Sequence, residues 1–372
     1  MDASDYDVTY VRALTLLCHG KGKNMTKSKK AGMITAIVII AVIFCVLTFG
    51  LVFKLMHYDF FSGAESSSQI PGLSDGLVQQ GYDYVESEAA YLTSGYMRDG
   101  SASRIYITKG GETYYKPLYY IDADGNKKEY NAHAGGISHF GNYVYIADEE
   151  DFTAGKKQNT ADIAVFSLSD IIDKEKEAVC IGTIPMPYAP SFCTVYGDML
   201  YVGRFAKEGH AKYGRLDEHA VTVGDETNSS LILAYRLDNA KTDTFGVDIT
   251  APVRALSIGD LVQGMCFAGD GRTILSTSWS VNSSHLYFYT VDFSTEADTA
   301  VNIGGVEVPV YFLGNDELTL DLKTPPMAEE LVYLDGRVYI MNESASTKYI
   351  FGNFIGGRKL YSFPAGDEQF AK

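Results

Sequence analysis

The chain has 372 residues, 46% of them hydrophobic and 13% aromatic, with 36 glycines, 27 tyrosines and a formal net charge of −16. So acidic a balance excludes partners held by broad attraction to phosphate, nucleic acid and anionic lipid headgroups alike. The supply of Tyr, Phe, Val, Ile, Thr and Gly favours strands and tight turns over helices.

Residues 1–30 read as a cytoplasmic tail, carrying Arg12, Lys21, Lys23, Lys27, Lys29 and Lys30 against Asp2, Asp5 and Asp7. Met25-Thr26-Lys27-Ser28-Lys29-Lys30 resembles an ordinary start followed by a basic region, so residues 1–24 read as an extension the topology does not need. Ala31 to Phe53 contains no charged side chain. As a helix it spans roughly 34 Å, enough for a hydrocarbon core of about 30 Å, and residues 31–54 are assigned as a single transmembrane helix. Basic residues on its leading flank place that side in the cytoplasm. The chain beyond Lys54 holds 24 basic against 44 acidic residues and is expected to face outward from a plasma membrane. A cleaved signal peptide is the competing reading. Its apolar region would be shorter, about 7–15 residues, and the small residues Ser62-Gly63-Ala64 lie beyond Lys54, His57 and Asp59.

Residues 55–78, rich in Ser and Gly from Phe61 to Asp75, read as a linker. Then a repeat begins. Each unit opens on a small or polar pair and continues with a short strand, a Gly-containing turn and a second strand. The pairs are Gln80-Gly81, Gly135-Gly136, Ser191-Phe192, Gln263-Gly264 and Glu329-Glu330, spaced by 55, 56, 72 and 66 residues. A third strand comes after each, from Ser103, Asp162, Ser230, His285 and Lys359. Fourth strands are visible in TYYKPLYYID and EAVCIGTIP, and less clearly around VRALSIG. Such a period predicts an all-β fold, a five-bladed β-propeller over residues 79–366, with residues 367–372 as a tail. The last blade lacks an outer strand, and the segment before Gln80 is placed to supply it. Cys18 falls in the tail and Cys45 in the span. Cys180, Cys193 and Cys266 form an odd outer set, of which Cys193 and Cys266 read as buried free thiols, with one disulfide as the alternative.

These positions carry a resemblance. His133-Ala134-Gly135-Gly136-Ile137, Gly203-Arg204-Phe205 after Ser191-Phe192, Gln263-Gly264-Met265, Ser283-Ser284, and Pro325 to Glu330 followed by Glu343-Ser344 and Lys348-Tyr349, resemble in order a group of secreted or membrane-anchored β-propeller proteins of Gram-positive bacteria. The resemblance extends from about Gln80 to Pro364. It implies fold and location, and carries no catalytic residues.

The first strand of a propeller blade lines the central channel, so the opening pairs place Gln80, His133, Ser191, Gln263, Glu329 and Glu330 near one mouth. The ends of second strands add Tyr96, Arg204, Ser278, Trp279, Glu343 and Lys348. Gly81, Gly136 and Gly264 let the strands converge on the axis. The functional reading is a polar pocket with an aromatic wall of Tyr96, Phe205 and Trp279, for a small polar ligand, a glycan or an envelope protein. The bland alternative is a filled channel whose polar groups satisfy one another. A glycoside hydrolase using Glu329, Glu330 and Glu343 is the enzymatic alternative, although all three sit on one blade and Arg204 or Lys348 would pair with one.

No cofactor is called for, and no metal set appears: the other outer histidines show no ligand spacing with His133, which reads as a hydrogen-bonded structural residue. Asp122-Ala123-Asp124-Gly125-Asn126 has its Gly too early for a calcium loop and reads as a hairpin turn. Phosphate loops and serine-hydrolase elbows are missing from the sequence. Ala206 to Asn228 is an insertion, read either as a lid or partner contact over the mouth or as a tolerated surface loop.

Overall fold

The computed structural model describes residues 26–148, 162–349 and 358–366. The leading tail before Thr26, with Cys18, and the tail from 367 lie outside the described residues. The chain divides into two units, Met1–Phe53 and Lys54–Lys372. Helix α1 (Lys27–Met56) is longer than its apolar run, because the flanking lysines are good helix formers. It is long and apolar enough to cross a membrane, as a signal sequence would also be, and side chains such as Phe44 and Leu47 stand exposed along it.

The second unit opens with a short helix, α2 (Tyr58–Gly63), and strand β1 (Glu65–Gln69). The first blade is β2 (Leu77–Val85), β3 (Ala90–Met97), β4 (Arg104–Lys109) and β5 (Glu112–Ile121), with a small β6 (Lys127–Glu129) hairpinned onto β5 through the turn at Asp124-Gly125. β7 (Ile137–Phe140), β8 (Tyr143–Ala147), β9 (Asp162–Ser167) and, beyond a stitch β10 (Ala178–Val179), β11 (Gly182–Pro185) make the second. The third is β12 (Phe192–Tyr196), β13 (Met199–Gly203), β16 (Ser230–Arg236) and β17 (Arg254–Ile258), interrupted by the hairpin β14 (Val221–Val223) and β15 (Glu226–Asn228). The fourth is β18 (Val262–Phe267), β19 (Thr273–Thr277), β20 (Ser284–Tyr289) and, after the hairpin β21 (Thr299–Ile303) and β22 (Val306–Phe312), β23 (Leu318–Thr324). The fifth is β24 (Ala328–Leu334), β25 (Arg337–Asn342) and β26 (Lys359–Pro364), completed by β1.

The five innermost strands neighbour one another in a closed ring, β2 to β7, β12, β18, β24 and back to β2. The molecule is a five-bladed propeller. The ring closes by antiparallel pairing of β1 with β26, Glu65 opposite Ser362 and Gln69 opposite Lys359. Part of the stretch expected as a linker is thus structural, and Phe60 just before it is fully buried, edge-on to the rings of Tyr361 and Phe363. Two parallel stitches have no counterpart in the sequence reading: β10 pairs with β5 and β22 with β17, so chain from one blade edges the blade before it.

The apolar core lies between blades. One cluster joins Leu92, Ile105 and Ile107 of the first blade to Val144, Ile146 and Phe166 of the second. Corresponding clusters fill the next three seams. At the seam where the fifth blade meets the first, the cluster shrinks to Ile70, Leu73, Tyr82, Met341, Ala345 and Leu360. A cleft of about 310 Å³ opens beside it. Middle strands such as β13 and β19 are buried along their whole length, whereas the outer β5 is mostly exposed or half-buried.

Near the axis the backbones approach too closely for side chains. A Cβ on Gly264 would lie 2.6 Å from Glu330 Cα, and one on Gly136 2.7 Å from both Cys193 N and Phe192 Cα. Backbone cannot give way as a flexible side chain does. Gly264→Ala is therefore expected to cost about 1–3 kcal/mol or more through overpacking, read as a lowered midpoint in denaturant with an unchanged m-value.

Candidate functional site

Three of the five inner strands carry a bulge at the opening pair: between Gln79 and Gly81, between Val262 and Gly264, and between Ala328 and Leu331. A bulge adds a residue to one strand and re-aims its side chain. The first two deliver Gln80 and Gln263 to a pocket of about 400 Å³ at one mouth of the channel, which the third leaves out. Second-strand ends and the loops after them supply the rest of the wall, Tyr96, Ser278, Trp279, Glu343 and Lys348, and His133 enters just ahead of the second blade. Eight of the twelve expected residues therefore meet in one cavity.

The other four do not line it. The Ser191 hydroxyl accepts a hydrogen bond from Phe205 N at 2.9 Å. Arg204 reaches the insertion, donating from its guanidinium to Gly214 O at 2.8 Å, while its own carbonyl accepts from Ser230 Oγ. Glu329 and Glu330 are buried, 3% and 1% exposed. The three carboxylates of the hydrolase reading thus do not converge on the cleft, because the bulge in β24 turns Glu330 into the packed axis of the ring.

Glu330 is the most unusual of the buried acids. Met265 N donates to its Oε1 at 3.2 Å. Burial, with repulsion from Asp83 added, drives its carboxyl well above the usual carboxylate range, and the backbone N–H of Met265 pulls the other way without offsetting it. The thiols of Cys193 and Cys266 are both free and buried nearby in the ring, and burial first, then Glu330, raises each of them.

In the pocket, Glu343 Oε1 accepts from the phenols of Tyr96 at 2.9 Å and Tyr349 at 3.1 Å. Burial and then the Glu343 charge raise both phenols far above their ordinary value, so they remain donors. Lys348 Nζ donates to Tyr96 Oη. It also lies 4.7 Å from the Tyr96 ring centroid and 5.2 Å from that of Tyr349. The expected pairing of Lys348 with a carboxylate is thereby relayed through a tyrosine. Among the described residues no hydrogen bond holds the His133 side chain, which was expected to be hydrogen-bonded; its ring stacks on Tyr96 at 5.2 Å. Opposite, Phe205 stacks on Trp279 at 6.1 Å and meets Tyr213 edge-on at 5.3 Å.

Tyr213 comes from the insertion, which is tied over the mouth: Lys207 N donates to Tyr213 O at 2.7 Å, and the His210 ring stacks on Tyr213 and meets Trp279 edge-on. Sequence reasoning missed Ser280, Met327 and Tyr349 as lining residues. Tyr349 had a signal in its place beside Lys348. Ser280 and Met327 had none, being set by left-handed backbone at φ 55° and 61°.

No family model matches the chain, and no curated protein matches it in sequence. Among solved structures, it is similar to the PQQ-bound aldose sugar dehydrogenase of Streptomyces coelicolor, at 11% identity and TM-score 0.42 over 81% of this chain and 97% of that one. It is also similar to a glutaminyl cyclase of Myxococcus xanthus, at 10% identity and TM-score 0.39 over 81% and 94%. A third is a gluconolactonase of Xanthomonas campestris, at 11% identity and TM-score 0.33 over 81% and 95%. At these values the likeness carries nothing about chemistry, and the blade count rests on the strand topology.

The buried acid generates a prediction. Below the unfolded-state value of 4.5 both states hold its proton, and above it only the folded state does. Stability should fall as pH rises from there, by up to about 1.4 kcal/mol per pH unit. Glu330→Gln keeps the shape without the titration. Its denaturation free energy should gain on wild type as pH rises above 4.5, until the folded carboxyl itself ionises, and a constant difference would contradict the assignment.

Proposed function

We propose that this chain is a membrane-anchored binding protein that takes a small polar ligand of the saccharide type at the pocket lined by Gln263, His133, Trp279 and Glu343. The observation that carries the reading is the supply of uncommitted polar groups beside aromatic faces. Among the described residues, the side chains of His133 and Gln263 and the Oε2 of Glu343 make no hydrogen bond to protein, and all three residues line a cavity that also holds Tyr96, Phe205 and Trp279. Sugars present this combination from their side, with hydroxyl edges and apolar ring faces. Hydrolysis gains no support, since a glycosidase needs two carboxylates about 5–9.5 Å apart and Glu343 is the one carboxylate among the lining residues described. Helix α1 is the anchor in this reading, with Lys27, Lys29 and Lys30 on the cytoplasmic side and the acidic domain outside.

Trp279 is the single tryptophan among 27 tyrosines, so emission excited at the red edge, where tryptophan alone absorbs, reports on this pocket. The full chain in detergent, titrated with N-acetylglucosamine tetramer, cellotetraose and maltotetraose, should show a saturable change in emission with one of them. Glu343→Gln should weaken it about tenfold through loss of a charged acceptor. A flat titration with all three refutes the saccharide reading. The orientation is checked separately: in vesicles of known sidedness, trypsin added outside should digest the acidic domain and spare the basic tail.

A further inference from the structure

The opposite mouth of the channel holds a larger cavity, about 660 Å³, lined by the far ends of all five inner strands. Its chemistry differs from that of the first. Aromatic rings dominate the wall: Tyr84, Phe140, Tyr196, Phe267 and Tyr333. Tyr196 is 43% exposed although its ring is stacked on Phe267 at 4.3 Å. Asp83 and Glu86 bring negative charge, and among the described residues the lining contains no Lys or Arg. Asp83 is fixed in place, its Oδ1 accepting from Tyr84 N at 2.9 Å and its Oδ2 bonded to His139 Nδ1 at 2.6 Å. The carboxylate is mostly buried, with 13% of the side chain exposed, and the imidazole beside it is 25% exposed.

We infer that this second mouth is a binding site for a small organic cation of the alkylammonium type, with Asp83 as counter-ion and Tyr196, Phe267 and Tyr333 as aromatic walls. A ring face carries negative electrostatic potential and attracts a cation most strongly where water is displaced. A weakly hydrated alkylammonium suits such a wall, whereas a metal ion would want several oxygen ligands, and no group of metal-binding side chains occurs among the described residues. The formal charge of −16 draws cations toward the domain before they reach the pocket. Among the described lining residues the one cationic competitor is His139. Asp83 and Glu86 on the first blade are the charged groups that face it, the described residues of the other blades adding only neutral side chains to the lining besides His139 itself. Ligand binding and the His139 proton therefore oppose each other, and the site should tighten as the pH rises through the titration of that histidine.

The test is calorimetric titration of the full chain in detergent with choline and with its neutral carbon isostere, 3,3-dimethylbutan-1-ol. Choline should bind about tenfold or more tightly than the isostere, the difference one desolvated cation–aromatic contact makes. Asp83→Asn and Tyr196→Ala should each weaken choline by a similar factor, and the exposed position of Tyr196 keeps that variant folded should the first fail to fold. Trp279 emission should stay unchanged, because that residue lines the other mouth. Equal affinity for the two probes, no binding of choline up to tens of millimolar, full affinity in Tyr196→Ala, or a choline-dependent shift in Trp279 emission would each overturn the assignment. A failed saccharide titration at the first mouth leaves these outcomes untouched.

Discussion

A blade of this propeller buries both faces only against its neighbours, so every blade depends on the ring being closed. The closure is a short antiparallel pairing, β1 against β26, made between residues nearly 300 positions apart in the chain, as the Ser67 hydroxyl bonded to Leu360 O illustrates at a separation of 293. It is made where the apolar seam is thinnest. Between the fifth and first blades the buried cluster is small and rich in tyrosine, with Tyr82 stacked on Tyr91. Strand pairing supplies there what side-chain packing supplies at the other seams, while the buried Phe60 ties the same leading segment to Tyr361 and Phe363 in the seam between the fourth and fifth blades. The long-range loop this closes carries an entropic cost, which grows only slowly with loop length. A few backbone hydrogen bonds and one aromatic cluster are in proportion to that cost.

Closing five strands around an axis forces their backbones together, and this crowding decides where function can sit. Glycine at 136 and 264 admits the approach, and the space left between strands is taken by Glu330. With its centre so filled, the channel widens at its two ends into cavities of about 400 and 660 Å³. The same inner strands reach both. Their leading ends carry bulges that turn Gln80 and Gln263 into one cavity, and their trailing ends run as regular strands whose alternation sets Asp83, His139 and Tyr196 toward the other.

The legibility of the sequence tracks burial. Inner and middle strands are buried on both faces and stand out as apolar runs after a small-residue pair, which is why five blades and their order could be read directly. Outer strands alternate weakly. β17 was only half visible, and β23 was hidden behind the hairpin of β21 and β22, whose parallel attachment to β17 leaves no mark in residue spacing. Candidate site residues were legible where a position in the repeat implies a position on the axis, as for Gln80, His133, Gln263 and Glu343. The reading failed at Glu329 and Glu330. They occupy the same place in the repeat as Gln263-Gly264, but here the second residue of the pair is a glutamate facing a glycine of another blade, and only the packed structure shows which way it turns.

The second mouth was invisible for a related reason. Its residues are the last ones of each inner strand, Asp83, His139, Val195, Phe267 and Tyr333, and taken blade by blade each looks like ordinary strand-and-turn material. The information lies in their conjunction across five repeats. Asp83 and His139 come from adjacent blades, 56 positions apart, and their bond exists only because β2 and β7 are neighbours in the ring. A propeller thus hides one end of its channel better than the other: bulges and glycines advertise the end where strands enter, whereas the end where they leave is written in residues that make sense only once the circle is closed.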